Sequence, residues 1–350
     1  MSARVLQLLS AAGPYDAVTN QALAHARMVR RWGLEAEVYA ADLAPGTSGV
    51  APIRRLAPRG DDLLVLHYSA YAKGLDAVVD GWRRTLLVYH NVTPPEYLWD
   101  WDALVAARCA VGRERLRSYP GRVAAAATAT AFNAADLAEA GFDDVHVVPQ
   151  LYELDVERLG NGSGPARAAP DAAAEILFVG RLMPNKRQDD LIRAFALLQR
   201  HHAPGARLRL VGGPLEGAYA RHLSELAQAV GARGVEIRPL AQPELNEAYR
   251  SASVFVCLSE HEGFCLPLLE AFHFGIPVIA YRAGAVPETA GDAAVLLEDR
   301  DLPTIVELIE LCLSDADLRA ALVQRGRARL RDFAPERTEA AWRRLVESVL

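Results

Sequence analysis

The sequence predicts an α/β protein with two domains, each built on a parallel β-sheet. The chain has 350 residues, which exceeds the usual size of a single hydrophobic core. Apolar segments of strand length alternate with longer segments of helical periodicity in both halves, as in repeated βαβ units. Residues 160–174 are rich in Gly, Ala, Pro and Ser and have almost no large apolar side chains. We interpret them as the linker between the domains.

Residues 1–159 are predicted to form the first domain. Residues 5–10 are mostly apolar and should form its first strand, and residues 18–32 should form an amphipathic helix that Gly33 ends. Further strands are expected at residues 36–41, 63–67, 85–89, 123–131 and 145–149, and further helices at residues 103–118 and 134–140. The alternation indicates a doubly wound sheet.

Residues 175–334 repeat this alternation and are predicted to form the second domain. Its strands are expected at residues 175–180, 207–212, 235–239, 254–259 and 277–281, and its helices at residues 188–201, 218–230, 244–251 and 267–274. Residues 335–350 are predicted to form a final helix. Ligands of α/β proteins bind beside the carboxyl ends of the strands. We therefore expect the active site in a cleft that both sheets face.

The charge distribution argues against a nucleic-acid partner. The chain has 44 acidic and 38 basic residues, spread along its length, and a net charge of -6. This composition creates no field that would gather nucleic acid. A GxGxxG fingerprint and a P-loop are both absent from the sequence. The chain therefore lacks the usual motifs of dinucleotide-dependent oxidoreductases and of nucleoside triphosphate hydrolases.

The four cysteines predict neither a zinc site nor a disulfide framework. They form no CxxC pair and have no histidine at a zinc-ligand spacing; they are Cys109, Cys257, Cys265 and Cys312. A reducing cytoplasm is the expected setting.

Membrane contact is left open by the sequence. No apolar run reaches the roughly 18–20 residues that span a bilayer. One predicted helix carries four arginines that would suit an anionic lipid surface; they are Arg108, Arg113, Arg115 and Arg117. Glu114 interrupts the run, and solvated helix faces often carry such charges. Peripheral contact with the inner face of a membrane is therefore an alternative to a purely cytoplasmic location.

Residues 259–272 carry the most informative pattern. They lead from a predicted strand through a turn at Gly263 into a helix, and Pro267 suits the first helical turn. A helix N-terminus favours phosphate, because its free N–H groups and dipole attract negative charge. Glu262 and Glu270, with seven residues between them, offer carboxylates that accept hydrogen bonds from sugar or ribose hydroxyls.

This segment resembles the E-x7-E motif of the retaining glycosyltransferases of family 4. The matching stretches are Glu262-Gly263-Phe264, Leu266-Pro267, Glu270-Ala271 and Gly275-Ile276-Pro277-Val278-Ile279. The resemblance implies the GT-B fold, which has two Rossmann-like domains with parallel sheets facing a central cleft. It also implies that Glu262 binds the donor sugar and Glu270 the nucleotide ribose. The donor-binding residues expected here are Glu262, Gly263, Phe264, Cys265, Leu266 and Glu270.

A second stretch is similar to the same family. Residues 176–181 read Ile-Leu-Phe-Val-Gly-Arg, and Lys186 and Leu191 complete the family's lysine element. Arg181 and Lys186 are expected to bind the diphosphate. A positioned arginine and lysine can stabilise the charge that a leaving nucleotide diphosphate gains, without a metal ion.

Four further residues are candidates for the site. His90 follows the strand at residues 85–89, where the family has a histidine near the reacting centre of the donor. Gly13 and Asp16 lie in the loop after the first strand, where the family has a Gly-Gly pair and this chain has Gly13-Pro14. We expect Gly13 to contact the donor and Asp16 to lie on the acceptor side. Gly212 would let the chain approach the nucleotide closely, or would serve only a tight turn.

The resulting prediction is a metal-independent, retaining hexosyltransferase. The second domain would bind the nucleotide sugar, UDP- or GDP-linked, as a substrate and without a cofactor. The first would present a glycan, lipid-linked or small-molecule acceptor. The resemblance implies that residues 335–350 cross back to the first domain. Within the same fold, a sugar-nucleotide 2-epimerase is the alternative enzyme, since a phosphorylase would need a lysine for pyridoxal phosphate in a suitable context. A non-catalytic sugar-nucleotide-binding subunit is the alternative of another class.

Overall fold

The computed structural model describes residues 3–14, 16–151, 173–214 and 216–350. These residues form two compact units. The first contains the described residues of Met1–Trp99, Ala103–Leu154 and Phe333–Leu350, and the second those of Asp100–Asp102 and Asp155–Asp332. The predicted linker lies outside the described residues, except for Ala173 and Ala174.

The first unit is built on a parallel sheet of seven strands in the order β3-β2-β1-β4-β5-β6-β7. The central strands are almost continuously apolar, as expected where helices cover both faces. The strands are β1 (Arg4–Ala12), β2 (Glu35–Leu43), β3 (Ala51–Pro52), β4 (Leu63–Tyr68), β5 (Thr85–Tyr89), β6 (Ala125–Thr128) and β7 (Val145–Val147). The helices between them are α1 (Ala17–Arg31), α2 (Leu75–Asp80), α3 (Ala103–Leu116) and α4 (Ala131–Glu139).

The second unit has a parallel sheet of six strands in the order β10-β9-β8-β11-β12-β13. Its strands are β8 (Glu175–Val179), β9 (Arg207–Val211), β10 (Val235–Arg238), β11 (Val254–Cys257), β12 (Val278–Tyr281) and β13 (Val295–Leu297). Its helices are α5 (Gln188–His201), α6 (Ala218–Ala229), α7 (Gln242–Ser251), α8 (Leu266–His273), α9 (Val286–Ala290), α10 (Leu302–Ser314) and α11 (Ala316–Leu330). The predicted α/β class with two parallel sheets is therefore confirmed.

The last helix, α12 (Pro335–Val349), belongs to the first unit. It buries Trp342, Leu345 and Val346 in the apolar core that also contains Val5 and Leu9 of β1. The indole N–H of Trp342 donates to the carbonyl of Pro149, at 3.0 Å. The chain thus returns to complete the core of its first half.

Several elements were not predicted from the sequence. These are β3, α2 and the whole of residues 286–330, where α9, β13, α10 and α11 lie. β3 and β13 have two and three residues, too few to show an alternation of apolar and polar residues. α11 buries only Leu322 and Gly326, so it lacks the apolar stripe by which helices are recognised. Among the described residues, no helix is both long and apolar enough to cross a membrane.

Candidate functional site

Lys186 lies in a tight turn between β8 and α5. The turn covers Pro184–Lys186, and its Asn185 is buried. The carbonyl of Asn185 accepts from the N–H of Glu260, at 2.8 Å, and its side-chain amide donates to the carbonyl of His261, at 3.2 Å. The lysine turn is therefore fastened to the loop that follows β11.

The ammonium of Lys186 pairs with the carboxylate of Glu262. Nζ lies 2.7 Å from Oε1, and the two side chains are 17% and 11% exposed. Burial disfavours the charged lysine, but the attraction of Glu262 outweighs it, so the pKa of Lys186 lies above its ordinary value. Lys186 is one of only two lysines in the chain, with Lys73. The structure thus joins the two charged residues that the sequence singled out in separate motifs.

The backbone at Glu262 is held by the loop after β12. The N–H of Ala285 donates to the carbonyl of Glu262, at 2.8 Å. Gly284 has φ +55°, and a Cβ there would lie 2.5 Å from the same carbonyl oxygen. Only glycine fits this position, because both the conformation and the space exclude a side chain. Gly284 was not predicted from the sequence, although a glycine soon after a predicted strand could have indicated it.

Helix α8 begins directly after this loop. Cys265 precedes its first residue with φ +68°, a left-handed conformation that is uncommon for a residue with a side chain. The carbonyl of Phe264 accepts from the hydroxyl of the buried Thr289, at 2.5 Å. Gly263 and Phe264 therefore lie in a turn that is fixed by a contact to α9, and Leu266 is the first residue of the helix that follows.

Glu270 lies one turn into α8 and is only 3% exposed. Its Oε2 accepts from the phenol of Tyr249, at 2.5 Å. The carboxylate therefore has a neighbour in α7 that orients it. Its expected contact with a ribose stays a prediction.

A charged network supports the lysine turn from the other side. Arg300 pairs with Glu260 at 2.5 Å and lies 3.6 Å from Asp190. Arg187, next to Lys186, pairs with Asp190 at 2.7 Å. The two loops that carry Lys186 and Glu262 are therefore linked through side chains as well as through the backbone.

Two cysteines lie beside Glu262. The sulfurs of Cys257, at the end of β11, and Cys265 are 3.8 Å apart, and Cys257 Sγ lies 4.0 Å from Glu262 Oε1. These three side chains are the group of metal-ligating type found in the described part of the chain. Spacing along the sequence did not reveal the cluster, because the fold of the loop, and not a CxxC spacing, brings the two thiols together.

The remaining predicted residues of the second unit lie at the ends of β8 and β9. A Cβ on Gly212 would lie 1.9 Å from the carbonyl oxygen of Gly180, so glycine is needed for the close approach of these two strand ends. Arg181 is exposed, and no carboxylate pairs with it among the residues that the structure describes. Its backbone carbonyl accepts from the side chain of Gln188, at 2.9 Å.

In the first unit, His90 follows β5 and is supported by a buried histidine. Its Nε2 lies 2.8 Å from Nδ1 of His67, whose Nε2 lies 2.8 Å from the amide oxygen of Gln7. His67 and Gln7 are at most 1% exposed. The ring of His25 packs edge-on against His67 and against Trp342 of α12. His90 was predicted from the sequence, whereas His67 and Gln7, the side chains that orient it, were not.

Burial keeps these imidazoles neutral. It lowers the pKa of His90 to about 4. Burial, assisted by the neighbouring His90, lowers the pKa of His25 to about 3 and that of His67 well below its ordinary value. At neutral pH, His90 therefore presents a neutral ring, which can donate from one nitrogen and accept at the other.

Gly13 and Asp16 have structural contacts at the start of α1. Asp16 is the N-cap, and its carboxylate accepts from the N–H and the hydroxyl of Thr19, both at 2.8 Å. The N–H of Gly13 donates to the same hydroxyl, at 3.1 Å. Asp16 thus has a clear capping function, and its acceptor contact stays a prediction.

Most of the arginine cluster on α3 is engaged within the first unit. Arg113 donates to the carbonyl of Val92 at 3.0 Å and lies 3.5 Å from Asp136. Arg115 and Arg117 also lie near acidic side chains. Arg113 thus has a structural contact, whereas Arg108, Arg115 and Arg117 are exposed, and contact with a lipid surface stays a prediction.

Comparison with known proteins finds a family that part of this chain resembles. Residues 165–329 match the model of the family described as "Glycosyl transferases group 1". This part of the chain is therefore similar to that family. The predicted resemblance to group 1 glycosyltransferases is confirmed, and all the residues of the second unit that the sequence predicts to bind the donor fall within the matched range. The individual roles of Glu262 and Glu270 in an E-x7-E motif stay predictions.

Relatives of the chain carry a consistent name. A D-inositol 3-phosphate glycosyltransferase from Saccharomonospora viridis is 33% identical over 211 residues, which are 56% of this chain and 47% of that protein. One of the same name from Kineococcus radiotolerans is 28% identical and covers 96% of this chain and 80% of its own. The chain spans about half the length of the first of these relatives. They support the prediction of a transferase enzyme.

Solved structures share the whole fold. Sucrose-phosphate synthase from Thermosynechococcus elongatus superposes with a TM-score of 0.76 over 99% of this chain and 98% of its own, at 19% identity. HepE from Anabaena, in complex with UDP and glucose, gives 0.70 over 99% and 100%, at 16% identity. At these identities the likeness concerns the fold, which is that of the GT-B glycosyltransferases.

Proposed function

We propose that the chain is a glycosyltransferase that moves a hexose from a UDP- or GDP-linked donor to an acceptor. The observation that carries the proposal is the 2.7 Å pair of Lys186 and Glu262 inside the group 1 segment. It joins a cation suited to a diphosphate and a carboxylate suited to sugar hydroxyls, in loops that follow two strands of one parallel sheet.

The surroundings of the pair suit an anionic ligand. Arg181 adds a second, exposed cation at the end of β8. The N-terminus of α8 follows the Glu262 loop and favours negative charge through its dipole. The donor diphosphate would thus meet Lys186, Arg181 and the helix N-terminus, while Glu262 accepts hydrogen bonds from the hexose.

The same groups support chemistry without a metal cofactor. A departing nucleotide diphosphate gains charge in the transition state, and Lys186 and Arg181 can stabilise it there. Retention of the anomeric configuration follows from the family resemblance. His90, neutral at pH 7 and oriented by His67, would contact the donor sugar near the reacting carbon.

The names of the relatives suggest the class of acceptor. The relatives are named for D-inositol 3-phosphate, so inositol phosphates are the first acceptors to test, before glycans and lipid-linked sugars. A cytoplasmic location, with or without contact to the inner membrane face, fits a nucleotide sugar as donor.

Release of nucleotide diphosphate tests the proposal directly. The protein is incubated with UDP- and GDP-hexoses and the acceptor panel, and product formation is followed by mass spectrometry. We expect Glu262→Gln and Lys186→Met to reduce transfer about 100-fold or more, while Lys73→Met, at the exposed second lysine, transfers normally. Unchanged rates in both site variants would refute the assignment. An altered sugar formed from donor alone would favour the epimerase.

A further inference from the structure

The loop between β11 and α8 brings two thiols and a carboxylate oxygen together. The three ligand atoms of Cys257, Cys265 and Glu262 lie within 4.8 Å of one another. We propose that these side chains form a binding site for a thiophilic divalent cation such as Zn²⁺ or Cd²⁺. The bound cation inhibits the enzyme by drawing Glu262 away from Lys186.

The distances match tetrahedral coordination. Zn–S bonds of about 2.3 Å at a tetrahedral angle place two sulfurs about 3.8 Å apart, and the sulfurs of Cys257 and Cys265 are 3.8 Å apart. With a Zn–O bond of about 2.0–2.2 Å, sulfur and oxygen lie about 3.6 Å apart. Cys257 Sγ and Glu262 Oε1 are 4.0 Å apart, and all three ligand atoms lie within 4.8 Å of one another, so the carboxylate oxygen needs to approach the sulfurs by at most about 1.2 Å. Water completes the fourth position.

The charges balance before and after binding. With neutral thiols, the carboxylate of Glu262 and the ammonium of Lys186 sum to zero. When the cation binds, each thiol loses one proton to solvent, and two thiolates, one carboxylate, one ammonium and one divalent cation again sum to zero. A buried site tolerates this exchange, because no uncompensated charge is created. The hydroxyl of Ser259, 3.3 Å from Cys257 Sγ, can donate to the thiolate and orient it.

The cation competes with Lys186 for one oxygen atom. Oε1 of Glu262 is the atom that contacts Lys186 Nζ at 2.7 Å and also the atom nearest to Cys257. Coordination therefore weakens the pair that we place at the donor. This consequence rests on the proposed function, whereas the binding of the cation does not.

Cation binding is measured first, without any activity assay. The full chain, reduced with a phosphine, is titrated with Cd²⁺ and followed by the sulfur-to-cadmium charge-transfer band, and with Zn²⁺ by calorimetry. We expect one ion per chain, and an affinity at least about 100-fold lower in Cys257→Ser. Cys312→Ser removes another buried thiol and should bind as the unmodified protein does. Equal binding by Cys257→Ser, or no binding by the unmodified protein, overturns the site.

Transfer is measured second, with and without Zn²⁺ at one equivalent. We expect at least about a 10-fold loss in the unmodified protein, recovery with EDTA, and no Zn²⁺ response in Cys257→Ser. An ion that binds at Cys257 and leaves transfer unchanged overturns the inhibition. A protein that binds the ion but transfers no sugar in its absence contradicts the proposed function and leaves the cation site standing. Circular dichroism, and Cys265→Ser as a second variant, separate lost binding from lost fold.

Discussion

The pair of Lys186 and Glu262 makes a prediction about stability as well as about catalysis. Both side chains are more than four-fifths buried. Removing one partner of a buried ion pair costs about 3–5 kcal/mol, because the other charge is left unpaired, whereas replacing both partners by neutral residues is often close to neutral. Glu262→Gln and Lys186→Met should therefore each destabilise the second unit, and the double variant should regain most of the loss.

The coupling free energy from this double-mutant cycle should be about 3 kcal/mol or more. It is measured by urea unfolding with circular dichroism. The variants conserve side-chain size, so the cycle reports the lost charges. The exposed pair of Arg343 and Glu347 on α12, at 2.9 Å, is the matched control, and its coupling should be below about 0.5 kcal/mol. Transfer should stay low in the stable double variant. A coupling below about 1 kcal/mol for the buried pair would refute the reasoning.

Three further predictions follow. Gly212→Ala should destabilise the second unit by about 3 kcal/mol or more in urea unfolding. Gly213→Ala is the control and should be nearly neutral, because a Cβ at Gly213 meets nothing within 4 Å. Similar losses of unfolding free energy in the two variants would contradict the packing. Folded histidines with a lowered pKa resist protonation that the unfolded chain accepts below about pH 6.5, so stability falls toward pH 4. His67→Gln should remove about 2 kcal/mol of the loss between pH 7 and 5 in urea unfolding, and a pH slope equal to that of the unmodified protein would refute the buried neutral cluster. Trp342→Ala should destabilise the first unit by about 3–5 kcal/mol; less than 1 kcal/mol in thermal unfolding would show that α12 is undocked.

The fold class and the second unit's motif loops were accessible from the sequence because local patterns determine them. The boundaries of α5 were predicted without error, since an amphipathic stripe and the acidic residues of its first turn are both local features. The strand before Arg181 and the segment from Glu262 to Glu270 were found for the same reason. A buried parallel strand is a short apolar run in the sequence, and the candidate site residues come soon after its end.

The contacts that complete the site could not be predicted, because they join distant positions. Gly284 is required only because the carbonyl of Glu262 occupies the space of its side chain. In the sequence, His67 is an ordinary residue of a buried strand. Its importance follows only from the pairing of β4 with β5, which places His90 beside it. The thiols of Cys257 and Cys265 meet because the loop between them closes at a left-handed residue, which no propensity would predict for cysteine.

The measurement that tests the central claim most directly uses the scarcity of lysine in this chain. Protein labelled with ¹⁵N-lysine gives one backbone amide signal from Lys186 and one from Lys73, assigned with Lys73→Met. Titration with nucleotide diphosphates and their hexose conjugates should shift the Lys186 signal and leave that of Lys73 in place, in step with the heat of binding. Saturable heat without movement of the Lys186 signal would contradict the account.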